Sequence, residues 1–147
     1  MPIKDKLMED LKLSMKEKDI IRKNTVQSVR AAVLQVEKDT KVTLDDEGVI
    51  GVIAKEVKKR KDVLPEYEKS TREDLIADLK REIDILMEYL PSQLSQEELD
   101  EIVLNSIKEV GATSMKDMGK IMADVMPKIK GRADGKAVNE IVKKYFS

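Results

Sequence analysis

The chain has 147 residues, enough for one ordinary domain or two small helical ones. Charged residues make up 39% of it and aromatics only 3%, and 28 Lys and Arg stand against 29 Asp and Glu, for a formal net charge of −1. With no Cys and no His, disulfides, thiolate metal sites, cysteine nucleophiles and the usual imidazole base or metal ligand are all excluded.

Few Gly and Pro, abundant aliphatic residues and mixed charge are the make-up of an all-α protein with aliphatic cores and salt-bridged faces. No apolar run nears the length that spans a bilayer. The expectation is a cytoplasmic protein with no membrane contact, no metal and no cofactor.

Taken in order, Pro2 suits a first helical turn, and Ile3, Leu7, Met8, Leu11 and Met15 trace one face of a first helix. The run Lys16-Glu17-Lys18-Asp19 marks a break. A second helix then extends to about Asp39, with Val26, Val29, Val33 and Val36 at spacings of three and four. Arg30 lies on it, and a structural ion pair is the expected role.

Asp45 or Asp46 caps a third helix with Val49, Ile50, Ile53 and Val57 as its stripe. Lys58-Lys59-Arg60-Lys61 follows. Four consecutive cations repel and splay around a helix, so a solvated face is expected there rather than a nucleic-acid site. Pro65 predicts a kink or break, because its ring removes a donor and crowds the preceding turn. Thr71 is the expected cap of a fourth helix carrying Leu75, Ile76, Leu79, Ile83, Leu86, Met87 and Leu90. Its many carboxylates have no metal-loop spacing; early ones favour the helix dipole and later ones are expected to pair with Lys80 and Arg81.

Pro91-Ser92-Gln93-Leu94 is the predicted boundary between a helical bundle-like domain, 1–90, and a small three-helix domain, 91–147. Ser95-Gln96-Glu97-Glu98 has the form of a capping box for a fifth helix, which Gly111 ends. Between residues 71 and 110 eleven acids stand against four bases, so any contact with nucleic acid must be local.

The last third supplies the local excess of positive charge. Lys116, Lys120, Lys128, Lys130, Arg132, Lys136, Lys143 and Lys144 outnumber Asp117, Asp124, Asp134 and Glu140. Ser114 is placed as the cap of one short helix (Met118, Ile121, Met122, Val125) and Asp134 as the cap of the next (Val138, Ile141, Val142, Tyr145). Between them lies a basic, glycine-containing turn. There Lys128, Lys130, Arg132 and Lys136 are the candidate phosphate contacts, and Gly131 and Gly135 would allow close backbone approach.

Met118-Gly119-Lys120-Ile121-Met122, Lys130-Gly131-Arg132-Ala133-Asp134-Gly135-Lys136 and Val138-Asn139-Glu140-Ile141-Val142 resemble the closing motif of the YqeY-like family. They are also similar to the C-terminal tail domain of the B subunit of tRNA-dependent Asp/Glu amidotransferase. Glu88-Tyr89-Leu90-Pro91-Ser92-Gln93-Leu94-Ser95 resembles the family's interdomain signature, while Lys59-Arg60 and Thr71-Arg72-Glu73-Asp74-Leu75 fit its first domain. The order and spacing of these motifs cover nearly the whole chain.

The resemblance implies contact with tRNA, or assistance to an amidotransferase-like complex, without catalysis. In the amidotransferase, glutamine hydrolysis and ammonia transfer belong to parts not represented here. Carbon–nitrogen ligase activity with glutamine as amido donor is implied by the family naming and opposed by the residues, which offer no catalytic constellation: no P-loop or dinucleotide loop, no Ser-x-x-Lys and no amidase motif. A third reading is a protein–protein adaptor using Met115, Met118, Met122 and Met126, since methionine adapts to varied surfaces.

Overall fold

A computed structural model describes residues 1–147. The chain is all-helical and clusters into two compact units, Met1–Leu90 and Pro91–Ser147. No helix is long and apolar enough to cross a membrane.

Unit 1 holds α1 (Ile3–Glu17), α2 (Ile20–Thr40), α3 (Asp46–Lys69) and α4 (Glu73–Met87). The helices start where side chains satisfy otherwise orphaned N–H groups: Asp19 accepts from the Arg22 N–H at 3.1 Å, and Asp45 from the Gly48 N–H at 2.9 Å. α1 and α2 end on Lys18 and Lys41, both left-handed at φ 59° and 57°. The apolar stripes converge on one core of Leu7, Leu11, Val26, Val29, Val33, Val49, Ile53, Val57, Ile83, Ile85, Leu86 and Tyr89. Each such aliphatic side chain contributes about 1.5–3 kcal/mol by leaving water.

Polar groups tie the helices at the edge of this core. Arg22 reaches Glu88 at 2.6 Å, Arg81 reaches Asp19 at 2.8 Å, and the Tyr89 hydroxyl donates to the Asp10 carboxylate. Burial, followed by that bond to Asp10, pushes the Tyr89 hydroxyl far above its ordinary pKa, so it stays protonated.

Several sequence expectations are corrected here. Pro65 sits inside α3, which runs on to Lys69. The position is exposed, so the carbonyl that loses its donor can be met by water. Thr71 does not cap α4: it adopts φ 58°, and Arg72 occupies the N-cap without a side-chain bond.

Within the cationic run, Lys58 and Lys59 face solvent as expected, but Arg60 turns inward. Its guanidinium donates to Glu56 at 3.2 Å, Glu82 at 3.1 Å and Ser28 at 3.4 Å. Glu82 therefore pairs across helices rather than with Lys80 or Arg81. The ion pairs foreseen for Arg30 are made instead by Arg22 and Arg60.

Unit 2 is built from α5 (Gln96–Glu109), a 3₁₀ turn Met115–Asp117, α6 (Met118–Ile129) and α7 (Gly135–Tyr145). The capping box at Ser95 and Glu98 is complete in both directions. Gly111 leaves α5 at φ 66°, a conformation that costs glycine little. Ser114 heads the 3₁₀ turn rather than a full helix, and Asp117 folds back to accept from the Thr113 N–H at 2.8 Å. Leu99, Val103, Ile107, Ile121, Val125, Ile129, Val138 and Val142 form the core.

Candidate nucleic-acid interface

The turn between α6 and α7 is held by the chain segment that precedes α5. The Leu94 N–H donates to the Arg132 carbonyl at 2.9 Å, the Gln93 amide to the Gly131 carbonyl at 2.8 Å, and the Arg132 Nε to the Ser92 carbonyl at 3.0 Å. Three bonds in so short a stretch leave the turn little freedom. Gly131 is buried at φ 74°, the left-handed region that a side chain resists. Its carbonyl faces Gln93, so its small size serves packing inside the unit.

The six sequence candidates thus fall into distinct positions. Lys128, in the last turn of α6, donates to Asp124 at 3.1 Å and Glu109 at 3.4 Å. The Asp124 bond, more than Glu109, raises its pKa and keeps the ammonium charged. Lys130 is exposed at the end of α6, and Arg132 is half-buried with Nε committed to Ser92.

Asp134 accepts the Lys136 N–H at 3.1 Å and begins α7. Gly135 packs on the methionines of α6: a Cβ there would meet Met126 Sδ at 3.4 Å and Met122 Cε at 3.5 Å. Lys136 follows, exposed in the first turn of α7.

The ion pairs of unit 2 are Lys120 with Asp117 and Lys128 with Glu109 and Asp124. That leaves Lys130, Arg132 and Lys136 without a paired carboxylate. Lys136 also stands where the helix dipole is unfavourable to a cation, and the first turn of α7 carries no acid beyond the cap. Asp134 already takes the Lys136 N–H with its carboxylate and the Ala137 and Val138 N–H groups with its carbonyl, so what this end of α7 offers a phosphate oxygen is the unpaired cations. Lys143, counted in the basic excess but not among the six candidates, lies seven residues after Lys136 and hence on the same exposed face of α7. That spacing was the available signal.

The methionines divide. Met118 and Met122 pack against the core of unit 2, while Met115 and Met126 are exposed. The four form no continuous open face.

A family profile described as Yqey-like protein matches residues 4–146. The curated proteins similar to this chain include "Altered inheritance of mitochondria protein 41, mitochondrial" of Vanderwaltozyma polyspora. It is 33% identical over 147 aligned positions, covering 95% of this chain and 80% of the relative. The protein of the same name from Pyrenophora tritici-repentis is 28% identical, with 87% and 71% covered. A glutamyl-tRNA(Gln) amidotransferase component from Thermococcus gammatolerans is 44% identical over 55 residues, which is 35% of this chain but 9% of that protein.

Proposed function

The chain belongs to the YqeY-like family, and from that premise we propose that it is a non-catalytic accessory protein that contacts tRNA through the α6–α7 turn. The observation that carries this reading is the pair Lys130 and Lys136. Both are exposed and neither is paired to a carboxylate, next to the start of α7. Gln93 and Ser92 hold the turn in place, so little ordering is left to be lost on binding. Lys143 extends the same face, and Lys128 takes a lesser part because Asp124 and Glu109 already engage it.

Similarity to a segment of a glutamyl-tRNA(Gln) amidotransferase supports tRNA as the ligand and an amidotransferase-like complex as the setting. The carbon–nitrogen ligase reading has no such support from the residues, since the turn offers cations, main-chain groups and one carboxylate, Asp134, that is engaged as the cap of α7. Cytoplasm is the proposed compartment. The fungal relatives carry mitochondrial names, and cell fractionation of the source organism decides between the two.

The test is an electrophoretic shift with total tRNA at two salt concentrations. Binding should weaken with salt, and Lys130→Ala with Lys136→Ala should reduce the slope of log affinity against log salt by about 0.7–0.9 per lost contact. Lys58→Ala with Lys59→Ala is the control in unit 1. Loss of binding in the control with retention in the turn variant moves the site to unit 1; no binding by the wild type ends the proposal.

A further inference from the structure

A second feature lies in unit 1, on the side of α1 and α2 turned away from the core. The two helices run antiparallel, and Lys4 pairs with Glu37 across the seam between them. Leu7 and Leu11 lie to one side of that pair and enter the core with Val29 and Val33. To the other side, Met8, Lys12 and Met15 follow Lys4 along α1 at helical spacing, and Leu34, Arg30 and Lys23 precede Glu37 along α2. Helices of one hand running in opposite directions bring these two sets onto the same outer face. Met8 is 36% exposed, Met15 56% and Leu34 61%, so an open apolar strip follows the seam. Ile20 closes it at the link between the helices. Toward the crests the residues turn polar, with Asp5, Glu9 and Lys16 on α1 and Asn24, Gln27 and Lys38 on α2.

Cations dominate this face. Lys12, Lys16, Lys23, Arg30 and Lys38 stand on it without a carboxylate partner, against the unpaired acids Asp5 and Glu9. The ion pairs of α1 and α2 are Lys4 with Glu37, Lys6 with Asp10, Arg22 with Asp19 and Glu88, and Arg81 with Asp19. At the two ends Glu17 and Lys18, and Asp39 and Lys41, cancel. Where α3 begins, Asp45 and Asp46 are engaged by the N–H groups of Gly48 and Ile3, and Glu47 lies opposite the core stripe of Val49 and Ile53. Although 39% of the chain is charged, no acid stands between Asp19 and Glu37, so the excess belongs to the outer face of α2. Lys23 and Arg30 are also half-buried, and a cation that gives up water without gaining a partner is unfavourable. An anion from outside the unit completes them.

We propose that this face takes an amphipathic helix of a protein partner, one whose apolar stripe is flanked by Asp or Glu. A valley between two helices, apolar along its floor and basic along its sides, matches the way a third helix packs. α1 spans 15 residues, roughly 22 Å, room for about four turns of such a helix.

Charge and shape together select the occupant. A second copy docking through the same face would set the cations of both copies against each other. A phosphate backbone would meet the cations but leave Met8, Met15 and Leu34 unmatched, and neither α1 nor α2 carries an aromatic ring for a base to stack on. A lipid surface is entered by apolar crests, and here the crests are polar. An acidic amphipathic helix satisfies the strip and the cations at once. The inference stands independently of RNA binding, because it uses none of Lys130, Arg132 and Lys136.

The experiment is a titration of the full chain, labelled for NMR at its methyl groups, with two synthetic peptides of about fifteen residues, long enough to hold a helix. Both carry the same leucine stripe; one is flanked by Glu and Asp, the other by Lys and Arg. The expected result is saturable shifts at Met8, Met15 and Leu34 with the acidic peptide alone. Its affinity should fall several-fold in Leu34→Ser, and again, with a flatter salt dependence, in Arg30→Gln. Lys12→Gln, at an exposed position, gives the same reading should Arg30→Gln disturb the fold. Equal binding of the basic peptide, shifts elsewhere on the chain, or no shifts overturns the proposal. So does concentration-dependent broadening at these methyls without peptide, which would make the occupant a second copy. Binding to anionic vesicles that Leu34→Ser abolishes would make it a lipid surface and overturn it too. The tRNA shift of Lys12→Gln and of Leu34→Ser should match wild type; its loss in Lys12→Gln would assign the face to nucleic acid. Failure of this face and failure of the basic turn are thereby told apart.

Discussion

Gln93 donates its side-chain amide to the main-chain carbonyl of Gly131 at 2.8 Å, across 38 positions of sequence. That bond joins the start of unit 2 to the turn carrying Lys130, so the cations inherit their placement from an uncharged side chain outside the turn. Gln93→Ala should cost about 1 kcal/mol of stability. Gly131→Ala should cost about 1–2 kcal/mol, because φ 74° is unfavourable to a side chain. Denaturant midpoints measure both. If Gln93→Ala also weakens the tRNA shift without altering its salt slope, the bond orders the turn rather than supplying charge.

Arg60 and Lys58 lie two positions apart, with opposite consequences. Arg60 pairs with the buried Glu56 and the half-buried Glu82 together, and removing it strands Glu82 and leaves Glu56 with Lys59 alone. Arg60→Ala should destabilise by about 2–4 kcal/mol, somewhat under the figure for fully buried pairs because water still reaches Glu82. Lys58→Ala removes only an exposed pair with Asp62 at 3.9 Å and should stay within about 0.5 kcal/mol. Equal midpoints for the two variants would refute the inward role of Arg60.

Acid should reveal the cap of α2. The Arg22 N–H, and after it the Arg81 guanidinium, hold the Asp19 carboxyl below its ordinary range, against the raising effect of burial. A carboxyl depressed in the folded state stabilises above its unfolded pKa, about 3.9, and loses that contribution as pH falls through the lower folded value. Asp19→Asn keeps a good cap but drops the charge. The variant should be less stable than wild type at pH 7, and the gap should close below about pH 4. Chemical denaturation at a series of pH values checks this; a gap that is constant with pH would contradict the ionic contribution.

A preparation purified to homogeneity should neither hydrolyse glutamine nor amidate a charged tRNA. The chain lacks Cys and His, and the one carboxylate in the α6–α7 turn, Asp134, is engaged as the cap of α7. Ammonia release that survives purification and disappears on changing one residue of this chain would establish an activity that the geometry does not anticipate.

Helix number and cap chemistry were legible in the sequence because both are local. Ser95 with Glu98 and Asp134 with the Lys136 N–H need only a few neighbouring residues to specify them. What escaped depends on partners far along the chain. Arg60 follows Val49, Ile53 and Val57 at helical spacing, so the inward stripe pointed to it, but Glu82 on another helix is what makes that position tolerable. Thr71 has the side chain of a cap, yet the tight link from α3 to α4 takes it into the left-handed region, where Arg72 starts the helix instead. For the candidate site, charge located the turn. The division of its cations into engaged Lys128 and free Lys130 and Lys136 rests first on Asp124, one helical turn before Lys128, and then on Glu109, which lies 19 residues away.

The layout of the helices also bears on how the chain reaches its fold. Partners that follow one another in sequence pack together, α1 on α2, α3 on α4, α5 on α6 and α6 on α7. Closing short loops costs little entropy before contacts repay it, so helical topologies of this kind fold in roughly microseconds to milliseconds. With no strand in the chain, a partly folded intermediate exposes no sheet edge for other chains to extend.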